Sequence, residues 1–155
     1  MLCARAGALL LVVSACGSGS GAAGTSSHDS PDGAARGFVN ALAANDTKGA
    51  EDWIASGERS EFSGALDEAR SLKLKVAFTV KAFSVASVAV DRSDANRAVV
   101  TYGGQVTFCV TGTTAGRAVD DCSAVQSQSG QGNAHTFVCV RQDGRWYVSI
   151  RGTAA

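Results

Sequence analysis

KVAFTVKAFSVASVAVDRSDANRAVVTYGGQVTFCV, residues 75–110, is the stretch on which the fold turns. Its first part, Lys75 to Val90, is rich in Val and Phe, residue types that suit a pleated, half-buried surface. Asp91-Arg92-Ser93-Asp94-Ala95-Asn96 makes a polar turn, and Arg97 to Val110 reads as a second long strand. Gly103-Gly104 lies in the middle of that strand. Paired glycines weaken a strand and mark a bulge or a sharp bend. Beyond them Val106, Phe108 and Val110 alternate with Gln105, Thr107 and Cys109, the period of a strand with two different faces.

Working outward, Thr111 to Asn133 reads as a long polar loop, and His135 to Arg141 as another strand. Gln142-Asp143-Gly144-Arg145 is a tight turn into a last strand, where Trp146, Val148 and Ile150 alternate with Tyr147 and Ser149. Upstream the period changes to that of helices. Ser30-Pro31 announces one, since Ser caps well and Pro suits the first helical position. Ala35, Phe38, Val39 and Leu42 follow at helical spacing. Asn45-Asp46-Thr47 interrupts, and Ala50, Trp53 and Ile54 share a face of a second, short helix. Ser56-Gly57 breaks again, and Phe62, Ala65, Leu66 and Ala69 suggest a third. Helices followed by a run of antiparallel strands predict an α+β domain over residues 30–152, its N-terminal helices packed in a strongly curved antiparallel sheet.

The segment before residue 30 reads as an address. Arg5 and the short apolar run Leu9 to Val13 lead to Val13-Ser14-Ala15-Cys16. A bilayer span needs about 20 apolar residues, so this run is a secretory signal rather than a transmembrane helix. The Cys after small residues resembles the lipobox of bacterial lipoproteins. That resemblance implies cleavage of a 1–15 leader and acylation of Cys16 with palmitate-type chains, giving a lipid anchor at the extracytoplasmic face of the cell membrane. An ordinary signal peptide that happens to hold a Cys is the plainer alternative. Gly17 to Asp29 (GSGSGAAGTSSHD) reads as a flexible Gly/Ser tether, residues 16–29 with the Cys, and His28 within it as a solvated bystander.

Composition narrows the rest. The chain carries 14 Lys and Arg against 14 Asp and Glu, with the basic residues scattered, which argues against nucleic acid as a partner. It is 45% hydrophobic, enough for a packed core. No Cys/His spacing suits zinc and no dinucleotide or phosphate-loop pattern occurs, so neither a metal nor a cofactor is expected. With Cys3 in the leader and Cys16 acylated, Cys109, Cys122 and Cys139 remain in an oxidising compartment. A free thiol in the polar loop would be exposed to chemistry, which favours Cys109–Cys122 with Cys139 spare and buried. Cys109–Cys139 is the rival, as both alternate onto one side of strands that are candidates for neighbours.

Three loose motifs, taken in order, resemble the nuclear transport factor two-like superfamily. They are the opening PDGAARGFVNALAANDTKGAEDWI, the bent strand with Gly103-Gly104, and the closing DGRWYVSI. Many actinobacterial lipoproteins have this build. The resemblance implies a cone, a curved sheet around the first long helix with a pocket at the wide end; a cystatin-like sheet is the nearest alternative. Some members are enzymes, ketosteroid isomerases and polyketide cyclases, with an Asp or His in the cone. Here no carboxylate alternates into a core face in mid-strand, and His135, with Tyr102 or Tyr147 beside it, is the one candidate imidazole. No catalytic residue is therefore assigned. The expected function is a non-catalytic module of the cell envelope that binds a small apolar ligand or an envelope protein. Its expected pocket residues are Phe38, Leu42, Trp53, Phe83, Tyr102, Phe108, His135 and Trp146.

Overall fold

Ser30 accepts a hydrogen bond from the Gly33 amide and starts helix α1, Pro31–Ala43. In this computed structural model, which describes residues 24–125, 128–129 and 135–152, α1 carries Ala34, Ala35, Phe38, Val39 and Leu42 into the core. Asp46 caps α2, Thr47–Asp52, through the Gly49 amide. A 3-10 turn at Ser56–Glu58 leads into α3, Arg59–Ser71. Between α1 and α2, Asn45 takes a positive φ of 53° and turns its amide onto β1 (Lys75–Val90). Its Oδ1 accepts from the Phe78 amide at 2.9 Å. The helices are thereby tied to the edge of the sheet.

The sheet is organised around β2, Arg97–Thr114, an 18-residue strand. One side of β2 pairs along its length with β1. The other side is shared: residues 97–102 pair with β5 (His135–Gln142), and residues 107–114 pair with β3 (Arg117–Ala124). Strand β5 pairs in turn with β4 (Gln128–Ser129) and with β6 (Arg145–Ser149). All these pairings are antiparallel, and the sheet curls strongly into a half-barrel that holds α1 in its concave face.

The bend lies where the paired glycines predict it. The β1–β2 register slips between Lys81 and Ser84, opposite Gly103 and Gly104, and Ala82 takes φ 51°. Gly104 has φ 89°, and a Cβ there would clash with the Ala82 carbonyl oxygen. A second slip, between Val85 and Ser87, adds to the curl.

Two expectations are corrected. Thr111 to Asn133 is not one long loop, because β2 runs on to Thr114 and returns through a turn at Ala115-Gly116 as β3. Cys122 therefore lies in a strand, directly opposite Cys109, and the two form a disulfide. Cys139 pairs instead with Ala98 near the other end of β2, which puts it out of reach of Cys109. It is buried with its thiol 3.4 Å from the Pro31 carbonyl oxygen, and burial, with a smaller contribution from Asp32, pushes its pKa up.

The second correction concerns the tether. The leader, Cys16 and the tether to residue 23 lie outside the described residues, but from Ser26 onward the segment is docked. Ser26 Oγ accepts from Asn40. The His28 ring stacks on Trp53 with centroids 4.1 Å apart, and its Nδ1 is hydrogen-bonded to the Trp146 carbonyl at 2.8 Å. The Trp146 amide donates back to the His28 carbonyl. His28 is not a bystander; a flat ring and two hydrogen bonds hold the chain to the domain at that point.

Gly104→Ala is expected to cost about 2–4 kcal/mol, from a left-handed φ and a clash with backbone that cannot yield. Gly103→Ala, where the nearest atom is Ser84 Oγ at 3.5 Å, is expected to cost less. Urea denaturation of the two variants checks the order.

Candidate functional site

The curl of the sheet leaves a gap between its concave face and α3. A cavity of about 300 Å³ opens there. Five phenylalanines surround it, one from each of five elements: Phe38 of α1, Phe62 of α3, Phe78 of β1, Phe108 of β2 and Phe137 of β5. Their rings form a continuous chain, with centroid separations of 5.8 Å for Phe137–Phe38, 6.3 Å for Phe38–Phe62, 6.4 Å for Phe62–Phe78 and 5.4 Å for Phe78–Phe108. These are the distances of favourable edge and offset contacts, so the wall is self-supporting. Leu66, Ala65, Ala124, Val125, Val148 and Ile150 complete the apolar lining. Ser123 and Glu61 are its polar members.

Glu61 stands at the mouth, half exposed, with its Oε2 2.7 Å from Arg151 Nε. Its hydrogen bond and charge raise the Arg151 pKa. An exposed pair of this kind adds little to stability. One turn earlier, Glu58 does a different job. It is only 3% exposed, and its carboxylate accepts from Ser149 Oγ at 2.9 Å, the Ile150 amide at 2.6 Å and the Arg151 amide at 3.2 Å. A buried carboxylate is tolerated when it is hydrogen-bonded in this way. Through these bonds Glu58 fixes the chain leaving β6, and with it the pocket residue Ile150 and the mouth residue Arg151.

Of the residues expected to line a pocket, Phe38 and Phe108 do so. The other six do not line this cavity. Leu42 and Trp146 are packed into the core. Phe83 and Tyr102 are buried against each other beside the bend, 5.2 Å between ring centroids. Trp53 lies on the outside of α1, its indole occupying the space a Cβ on Gly37 would need. His135 faces Tyr102 across the β2–β5 ladder, with ring centroids 5.5 Å apart. Tyr102 donates its hydroxyl to the Val125 carbonyl at 2.5 Å, and burial pushes its phenol pKa up. Phe62, Phe78 and Phe137 are the pocket phenylalanines missing from the expected set, as are the smaller lining residues. The third-helix spacing of Phe62 and Leu66 signals a buried face, but only the strand register brings Phe78 and Phe137 beside it.

Among the described residues no cluster of three or more His, Cys, Asp or Glu is placed to hold a metal ion, and no helix is long and apolar enough to cross a membrane. Among the described residues the cavity's own chemistry is apolar enclosure with the Glu61 carboxylate and the Ser123 hydroxyl in its lining.

No protein-family model matches the chain, and no curated protein matches it. Among solved structures it is similar to the crystal structure of the intermembrane space region of the chloroplast protein ARC6, with 14% sequence identity and a TM-score of 0.50 over 74% of this chain and 89% of that one. At that identity the likeness is one of fold.

Replacing Glu58 by Ala would take an acceptor from the Ser149 hydroxyl and from two backbone amides, an expected loss of about 2–3 kcal/mol. Glu58→Gln keeps one acceptor oxygen and is expected to lose less. Thermal unfolding of both variants checks the order, and an unchanged Tm for Glu58→Ala would remove the carboxylate from this role.

Proposed function

We propose that this chain is an exported lipoprotein, anchored through Cys16 at the extracytoplasmic face of the cell membrane, whose nuclear transport factor two-like domain binds a small apolar ligand without transforming it. The observation that carries the reading is the phenylalanine-lined cavity. Ligand sites are typically concave, mostly apolar and edged by a few polar groups, with volumes from about 300 Å³ upward. A cone filled by its own side chains would have favoured a role in protein contact alone; an open apolar cavity favours a ligand.

Address and activity fit together physically. A short tether from an acylated Cys16 would hold the domain within a few nanometres of a bilayer, where apolar molecules concentrate. Each buried CH₂ of the acyl chains contributes about 0.8 kcal/mol to anchoring, and more than one chain is needed for stable attachment.

An enzyme of the ketosteroid isomerase or polyketide cyclase type is the second reading, and the contact of His135 with Tyr102 is the observation in its favour. It is the weaker one. Neither residue lines the cavity, and the Tyr102 hydroxyl is engaged with the Val125 carbonyl.

Ala65 is an exposed α3 residue at the cavity wall, so Ala65→Trp is expected to fill the space while the helix stays intact. Its affinity for an apolar fluorescent probe is expected to fall at least about tenfold, or 1.4 kcal/mol. Native mass spectrometry of protein purified from its own membrane is expected to reveal a bound apolar adduct on the unmodified chain and none on Ala65→Trp. Absence of both adduct and probe binding would overturn the ligand reading. Separately, Cys16→Ala is expected to move the protein from the membrane fraction to the soluble one; continued detergent-dependent partitioning would refute the anchor.

A further inference from the structure

The Cys109–Cys122 bond stands directly beside the cavity wall. Cys109 follows the wall residue Phe108, Cys122 precedes the wall residue Ser123, and Phe108 and Ser123 are partners across the β2–β3 ladder. Ser123, Ala124 and Val125 are this part of the lining. Among the described residues β3 pairs with β2 alone, and its side chains are almost all exposed, so burial does little to hold it. The wall segment is instead fastened at its two ends. At one end is the disulfide; at the other the Val125 amide donates to the Val106 carbonyl and the Val125 carbonyl accepts from Tyr102. Cys122 is exposed and Cys109 half-buried, and exposed disulfides are the labile ones. Cys139 does not compete for either sulfur: it is buried, burial pushes its pKa up, and it pairs with the other half of β2.

From this arrangement we infer that Cys109–Cys122 is a site of thiol–disulfide exchange with a dithiol, and that its reduction loosens the cavity wall and weakens ligand binding. The part concerning binding rests on the proposal that the cavity takes an apolar ligand. A thiolate of the dithiol attacks the exposed Cys122 Sγ, the bond between the two cysteine sulfurs breaks, and Cys109 leaves as a thiolate that takes a proton from water. The second thiolate of the dithiol then attacks its own sulfur in the mixed disulfide and releases Cys122, which is protonated in turn. Two electrons pass to the cysteine pair, and the dithiol is oxidised to a disulfide. With the bond gone, β3 is left to its ladder and to Val125, and such a thinly held strand opens locally far more readily than a core strand.

Dithiothreitol is the dithiol for the test, applied to the full chain under native conditions. Alkylation and peptide mapping are expected to find Cys109 and Cys122 newly labelled and Cys139 protected. Amides of residues 117–124 are expected to exchange hydrogen at least about tenfold faster in the reduced protein, with those of α1 unchanged. Affinity for an apolar fluorescent probe is expected to fall at least about threefold and to return on reoxidation. A Cys109→Ser, Cys122→Ser double variant is expected to bind the probe as weakly as the reduced protein and to ignore the dithiol. A bond that resists dithiothreitol until the protein unfolds would overturn the exchange site, and unchanged exchange in β3 would overturn the loosening. A probe affinity unchanged by reduction would overturn control of the cavity and leave the apolar-ligand reading intact. Failure of the probe to bind even the oxidised protein would count against that reading and against control of binding, while labelling and hydrogen exchange still decide the other two points.

Discussion

The bend in β2 is the constraint on which the rest of the molecule depends. A straight 18-residue strand spans about 60 Å, far too long to wrap a small helical core. The positive φ of Gly104 and the extra residue at Ala82 and Phe83 turn it inward, and the Ala82 carbonyl occupies the space where a side chain on residue 104 would stand. Because the strand bends there, its two halves have different neighbours, β5 before the glycines and β3 beyond them. The first half closes over α1. The second half, stiffened by the Cys109–Cys122 cross-link, extends past it and forms the wall of the cavity opposite α3.

A cavity lined by side chains survives only if its walls cannot collapse into it. Here each wall is held from behind. Phe78 is fixed by the Asn45 side chain bonding its backbone, and Ile150 by Glu58. Phe137 is backed by Tyr102, whose ring stacks on it at 4.7 Å and whose hydroxyl reaches Val125, another wall residue. The polar groups of this region thus act mainly as fasteners at the rear of an apolar space. That division explains why a buried carboxylate and a buried tyrosine lie so close to the cavity without being part of its surface.

A second assembly lies on the far side of α1. Gly37 brings the Trp53 indole directly onto the helix backbone, the His28 ring lies on Trp53, and Tyr147 lies 4.7 Å from His28 with the Arg59 guanidinium over its ring. A larger residue at 37 would displace the indole and everything laid upon it. This stack is the place where the N-terminal segment becomes part of the domain, and it shortens the free tether that the composition of residues 16–29 predicts.

Sequence by itself determined the elements whose signals are local. The Ser30 cap and the 35-38-39-42 spacing specify α1, the paired glycines specify the bend, and alternation specifies the strands that bury one face. β3 escaped notice because it is almost wholly exposed, so neither face carries an apolar signal and its polar residues read as loop. Glu58 escaped because an acid just before a helix is ordinarily solvated; its burial depends on the end of β6 and the two residues after it returning from 91 to 93 residues away. His28, in a segment of Ser and Gly, gave no sign that Trp53 and Trp146 would receive it. The tertiary structure alone decided which aromatic residues share a cavity. Phe38, Phe62, Phe78, Phe108 and Phe137 come from five elements, and their meeting depends on the strand register on either side of the curl at Gly104, a pairing that no local pattern encodes.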